Sequence, residues 1–121
     1  MINPEIKEIF DALTKHRFVI SNEKVLQLEI ENIFKQKGFE FKREYYLDEE
    51  NKNIIDFLMS QGIGIEVKIK ANKRAIYKQL LRYSEFEEIK SLILVTGTNT
   101  GMPKELNGKP VYILNISRAW L

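Results

Sequence analysis

The sequence predicts an α/β protein built on a central mixed β-sheet flanked by helices, in the order α-α-β-β-β-α-β-β. Three observations carry this. Ile63, Ile65, Val67 and Ile69 alternate with Gly64, Glu66, Lys68 and Lys70, the period of two of a strand with one buried face. Ser91–Thr96 (SLILVT) is an almost wholly apolar run, suited to a strand buried on both faces. Between them Ile76, Leu80, Tyr83 and Phe86 fall on successive helical turns, as in an amphipathic helix linking two strands.

Composition bounds the function. At 121 residues, with 44% hydrophobic and 30% charged residues, the chain is expected to form one domain, 1–121, around one core. It has no cysteine, which excludes disulfides, a thiolate metal site and a cysteine nucleophile. Its one histidine, His16, stands in Lys15-His16-Arg17, where it reads as solvated, and argues against a histidine zinc site or a Ser-His triad. A net charge of +2 says less than where the charges lie. The opening MINPEIKEIF lacks the apolar core of a signal peptide, and no run of about 18 apolar residues follows. The expectation is a cytoplasmic protein with no membrane partner.

Along the chain, Asn3-Pro4-Glu5 is a helix start, with Asn as N-cap, Pro at the first helical position and an acid in the first turn. Ile6, Ile9, Phe10 and Leu13 give this helix an apolar face, and it is expected to end near Lys15. Phe18-Val19-Ile20 is an apolar connector. Ser21 is the expected N-cap of a second helix, with Leu26, Ile30, Ile33 and Phe34 as its buried stripe and Gly38 as its stop. Phe39–Leu47 reads as a strand, Asp48–Asn53 as a polar turn, and Ile54–Met59 and Ile63–Ile69 as a hairpin about Ser60-Gln61-Gly62, where glycine permits a positive φ. Ala71-Asn72-Lys73 is a loop, Ala75–Glu88 a helix, Gly97–Gly101 a loop, and Met102–Gly108 irregular or one helical turn. Pro110–Ile116 is a last strand and Ser117–Leu121 a tail.

The chemistry concentrates on the hairpin. With the turn centred on Gln61, Asp56 and Glu66 stand opposite each other and share a face. Lys68, two residues beyond Glu66, shares it as well. Opposed like charges destabilise a sheet unless something neutralises them. A divalent Mg²⁺ or Mn²⁺ does so, since hard cations take carboxylate oxygens together with substrate phosphates. Positive charge gathers nearby: Lys68, Lys70, Lys73, Arg74, Lys78 and Arg82 run from the second hairpin strand into the next helix, with Lys42 and Arg43 on the neighbouring strand. Such a cluster around an acidic site suits a phosphate backbone. A helix-turn-helix or zinc finger is absent from the sequence, so recognition of structure or ends is expected rather than of base sequence.

The pattern Asp56-x9-Glu66-Val67-Lys68 within this order of elements resembles the PD-(D/E)XK nuclease superfamily, over roughly Ser21 to Thr96. The proline of that motif is replaced by Ile55. Gln79-Leu80-Leu81-Arg82-Tyr83 resembles the Q-x-x-x-Y that many such nucleases carry on the helix after the E-x-K strand, and an i,i+4 pair lies on one helical face. The family usually places a further acid on the first core helix. Of Glu23, Glu29 and Glu31, Glu23 lies nearest the apolar stripe on a wheel of about 100° per residue and Glu31 points away. Ser21-Asn22-Glu23-x3-Gln27 looks like the opening of the VRR-NUC branch, while Holliday-junction resolvases resemble the chain in size and order, with their acid aligning nearer Gln27 or Glu29.

The resemblance implies a restriction-endonuclease-like core and a Mg²⁺- or Mn²⁺-dependent deoxyribonuclease. Asp56, Glu66, the Val67 carbonyl and Glu23 would hold metal. Asp56, Glu66, Lys68 and Gln79 would be catalytic, with Lys68 positioning or deprotonating the attacking water. Lys70, Lys73, Arg74, Lys78, Arg82 and Tyr83 would contact DNA, branched or with free ends. A rival expectation is a binding module that keeps the fold and does not cut. A homodimer is expected, because so small a domain has little surface to grip a branched duplex. Phe18–Ile20 and Ala119-Trp120-Leu121 are candidate interface segments.

Overall fold

The computed structural model describes residues 3–18, 20–70 and 72–118. Its elements are α1 (Pro4–Thr14), α2 (Glu23–Lys37), β1 (Phe41–Tyr46), β2 (Ile54–Met59), β3 (Ile63–Lys68), α3 (Lys73–Ser84), β4 (Ser91–Thr96), β5 (Glu105–Leu106) and β6 (Lys109–Asn115). The helix starts are set by asparagine caps. The Asn3 side chain accepts from the Glu5 amide, Asn22 from Val25, and Asn72 from both Arg74 and Ala75. These caps satisfy amides that the first helical turn leaves without partners. α2 stops where Gly38 turns left-handed, at φ 75°, a conformation in which a side chain would be strained.

The strands form one mixed six-stranded sheet in the order β1-β2-β3-β4-β6-β5. β1, β2 and β3 pair antiparallel; β3, β4 and β6 pair parallel; β5 returns antiparallel along β6. The hairpin therefore occupies the second and third places of the sheet. α1 and α2 cover one face, where Ile6, Leu13, Leu26, Ile30 and Phe34 pack on Ile63, Ile65, Val67, Ile69, Ile93 and Val95. α3 covers the other through Ile76, Leu80 and Tyr83 against Ile55, Leu92 and Leu94. Each residue of β4 is buried, as a strand sandwiched between two helical layers must be. The apolar face of β3 is where its alternation puts it.

Several expectations need correction. α2 is capped by Asn22 rather than Ser21. α3 begins two residues before Ala75, at the first position its Asn72 cap allows, and ends at Ser84. Residues 85–88 leave the helix, and Phe86 packs on the second core from a turn. Glu105–Leu106, expected to be irregular, adds a sixth strand, because Asn107 and Gly108, both at positive φ, make a two-residue hairpin. Gln61 as well as Gly62 takes positive φ in the β2–β3 turn. Ile116–Arg118 forms a 3₁₀ turn. Phe18 is buried and Ile20 is partly buried against the first core; Val19 and Ala119-Trp120-Leu121 lie outside the described residues. Among the described residues no helix is long and apolar enough to cross a membrane.

Gly64 leaves no room for a side chain between β3 and the second core. A Cβ there would lie 2.5 Å from Ile55 Cδ1 and 2.9 Å from Ile89 Cδ1. Gly64→Ala is therefore expected to destabilise the fold by about 1–3 kcal/mol through overpacking. Adding Ile55→Val, which deletes the nearer methyl, should recover part of the loss. Urea denaturation measures both, and an unchanged midpoint for Gly64→Ala would refute the close approach.

Candidate active site

The β2–β3 ladder pairs at Leu58↔Gly64 and Phe57↔Ile65. The next level would set Asp56 against Glu66, as the hairpin spacing requires, but backbone pairing gives way to side chains there. Glu66 Oε1 accepts from the Asp56 amide at 3.2 Å, and Asp56 Oδ2 accepts from the Val67 amide at 2.8 Å. The β1–β2 ladder is interrupted at the same level. Its register passes from Arg43↔Phe57 to Tyr45↔Ile55 without a Glu44–Asp56 pair, and Glu44 sits at φ 46°, an uncommon conformation for a residue with a side chain. As a result β2 changes face: Phe57 and Met59 join the first core and Ile55 the second. Simple alternation would have kept all three together. Breaks of this kind re-aim side chains next to functional sites.

The break brings the predicted carboxylates together and shelters them. Glu66 is only 2% exposed, because α3 covers what the sequence suggested was an open charged face. Its Oε2 lies 3.4 Å from Lys68 Nζ. Burial, and then repulsion from Asp56, push the Glu66 carboxyl up to about 8, with Lys68 opposing the shift. Asp56 is also held above the usual carboxylate range, chiefly by burial and further by Glu23. The Val67 amide, Lys68 and Arg43 pull it back. Both causes are those expected for like charges in a poorly solvated site.

Gln79 and Tyr83 act together, as their spacing implied, but on the backbone. Tyr83 is 1% exposed. Its hydroxyl donates to the Ile54 carbonyl at 2.7 Å and accepts from Gln79 Nε2 at 2.7 Å. Tyr83 is therefore a prop that fixes β2 two residues before Asp56. Its expected role as a nucleic-acid contact is corrected, since a side chain that deep cannot meet a polynucleotide. Arg82 is exposed on the same helix and donates from Nε to Asn53 Oδ1 at 3.1 Å. Lys70, Lys73, Arg74 and Lys78 are all exposed, as a phosphate-binding patch requires.

Glu23 occupies the first position of α2 and accepts from the Ile69 amide at 3.1 Å. Its charge reaches Asp56, but it does not complete a cluster. Among the described residues no three acidic, histidine or cysteine side chains converge on a metal-holding point. Glu31 pairs instead with Lys35 at 3.5 Å. The donors that do converge are two carboxylates on opposed strands. The Val67 carbonyl points to the same strand edge as its amide, because both groups of a strand residue share one side. An all-oxygen set of one or two carboxylates, leaving room for phosphate and water, fits Mg²⁺ or Mn²⁺.

Two neighbours take contacts that the sequence reading did not assign to them. Arg43 Nη2 donates to the buried Gln27 Oε1 at 3.0 Å, and its guanidinium lies 4.7 Å over the Phe57 ring. Its Nε is buried without a hydrogen-bond partner. Asp48 folds the β1–β2 loop by accepting from the Asn53 amide at 3.0 Å and the Asn53 side chain at 3.1 Å. The clustering of Asp and Asn in DEENKN signalled that turn; nothing local signalled the Gln27–Arg43 contact, which joins a helix to a strand.

A carboxyl whose folded pKa is raised binds its proton more tightly in the folded protein than in the unfolded chain. The stability tied to Glu66 is thus fully present below its ordinary range and is lost as pH rises toward about 8. The loss is at most about 1.4 kcal/mol for each pH unit crossed. Thermal melts in EDTA should show Tm falling between about pH 5 and pH 8, and Glu66→Gln should flatten the slope. Asp56→Asn keeps an acceptor for the Val67 amide and removes repulsion, so it should match or exceed wild-type stability without metal. Asp56→Ala orphans that amide and should cost about 1–3 kcal/mol. A large loss for Asp56→Asn would assign Asp56 a structural role.

The chain matches no protein-family model, no curated protein and no solved structure.

Proposed function

We propose that the protein is a divalent-metal-dependent nuclease that hydrolyses DNA phosphodiester bonds, with the PD-(D/E)XK arrangement on a restriction-endonuclease-like core. The observation that carries this reading is the pair of sheltered, opposed carboxylates at a broken ladder, with one ammonium beside them. A purely structural sheet has no use for two neighbouring acids whose proton affinities are both raised. An oxygen-ligated cation beside a phosphodiester does.

In this reading Asp56 and Glu66, with the Val67 carbonyl, hold Mg²⁺ or Mn²⁺. The bound ion supplies Lewis-acid stabilisation of charge on the phosphoryl oxygens. Lys68 has only N–H donors to offer while it is an ammonium, and its pairing with Glu66 aims those donors at the site. It orients the attacking water and stabilises negative charge as the water oxygen bonds to phosphorus and the ester P–O bond breaks, the proton passing to the departing oxygen. Tyr83 and Gln79 hold the Ile54 backbone, and with it Asp56, in place. The exposed cations from Lys70 to Arg82 grip flanking phosphates. Two chains paired about a two-fold axis would present two such sites to a branched duplex.

Linear, circular, flap and four-way-junction DNA incubated with the protein in Mg²⁺, Mn²⁺ and EDTA tests the reading. Cleavage of at least one substrate that EDTA abolishes is expected; none with either metal would overturn it. A second reading, a binding module that does not cut, is favoured by the lack of a three-acid cluster among the described residues. Titration calorimetry with Mn²⁺ separates the two, because the binder has no need of the ion.

Lys68→Ala should lower single-turnover cleavage by about 10²-fold or more, the scale of a positioned charge-stabilising group. Mn²⁺ binding should stay nearly unchanged, since an ammonium is no metal ligand. Lys70→Ala should instead weaken DNA binding and its salt dependence while leaving the chemical step intact. Equal single-turnover rates for Lys68→Ala and wild type would remove Lys68 from the mechanism.

A further inference from the structure

β3 and β4 run parallel, so their carboxyl ends open on the same edge of the sheet. In open α/β sheets that edge is where ligands lodge. Here it holds a groove of about 800 Å³ between the start of α3 and the loop that follows β4, within the range of small-ligand sites. Its two sides differ in chemistry. Lys73 and Arg74 form a cationic wall, and neither is paired with an acid among the described residues. Tyr77, Met102 and Pro103 form an apolar floor. Tyr77 is 36% exposed, a large ring left accessible in a concave surface. Lys73 reaches across the opening: a Cβ on Gly101 would lie 3.5 Å from its ammonium.

The start of α3 does not itself supply the anion site. Asn72 Oδ1 already takes the Arg74 and Ala75 amides at 2.9 and 3.2 Å, so charge recognition falls to the two side chains. The loop that follows β4 is held by its own bonds. The Thr98 amide donates to Thr96 Oγ1 at 3.2 Å and Asn115 Nδ2 to Asn99 Oδ1 at 2.9 Å.

We infer that this groove binds a single-stranded nucleic-acid segment, with an unstacked base against Tyr77 and its phosphates on Lys73 and Arg74. A ring accessible in a groove suits a splayed base, whereas a duplex hides its base faces in its own stack. Cations alone would serve either form; the aromatic and apolar floor selects the single strand. Along the chain only residues 69–72 separate Lys68 from Lys73. The inference rests on the nuclease reading for its biological sense and makes that reading narrower: the substrate carries a single-stranded flap, gap or end.

Fluorescence anisotropy of the full chain in EDTA, where nothing is cut, tests binding apart from catalysis. The probes are a labelled short oligothymidylate and a blunt duplex of equal length. The oligothymidylate should bind more tightly. Tyr77→Ala should weaken it about tenfold and erase the preference, while Tyr77→Phe, which keeps the ring, should stay within about twofold of wild type. Lys73→Ala should flatten the slope of log affinity against log salt by about 0.7. Tighter binding of the duplex, or equal single-strand binding by Tyr77→Ala and wild type, would overturn the inference even if the protein cuts DNA in Mn²⁺. Tyr77-dependent binding of the single strand by a protein that never cuts would sustain it while the nuclease reading falls.

Discussion

The structure turns on an exchange of hydrogen-bond partners at one rung of the sheet. Where β2 and β3 would bond backbone to backbone, the Glu66 carboxylate takes the Asp56 amide and the Asp56 carboxylate takes the Val67 amide. Buried amides must be paired, and these are. The partners are carboxylate oxygens rather than carbonyls, so the sheet stays satisfied while two acids are drawn into its plane. The cost appears as raised proton affinity at both groups. Lys68 on the same strand and Arg43 on β1 partly offset it. A site of this kind is locally unfavourable without a cation and is held by the sheet around it.

That holding is visible on both faces. On one, α3 lays Tyr83 and Gln79 over β2 and fixes the Ile54 carbonyl, so the strand cannot relax away from the break. On the other, Phe34, Phe41 and Phe57 pack with ring centroids 5.3 to 5.9 Å apart, beneath the Arg43 guanidinium. Aromatic packing of this density makes a stiff base for a strained level of the sheet. The interruption is shared by β1, where Glu44 takes a left-handed φ.

The parallel half of the sheet organises the surroundings. β3 and β4 end at the same edge, and Lys73, Arg74 and the groove beside Tyr77 lie at the start of α3. The net charge of +2 conceals the local run of Lys68, Lys70, Lys73, Arg74, Lys78 and Arg82.

The sequence by itself determined the α/β class, the hairpin and its centre, the opposition of Asp56 to Glu66, and the place of Lys68 beside them. All of these follow from local periodicity and from counting outward from one turn, both of which are properties of neighbouring residues. It also placed Gln79 and Tyr83 on one helical face, since that too is a local spacing. What they touch was decided by the tertiary structure: the angle at which α3 crosses the sheet sends Tyr83 to the Ile54 carbonyl and buries Glu66. The change of face at Asp56, the Gln27–Arg43 contact and the short β5 strand were equally beyond local reading. Each depends on residues far apart in sequence competing for the same hydrogen bonds and space, and that competition exists only once the helices have been laid on the sheet.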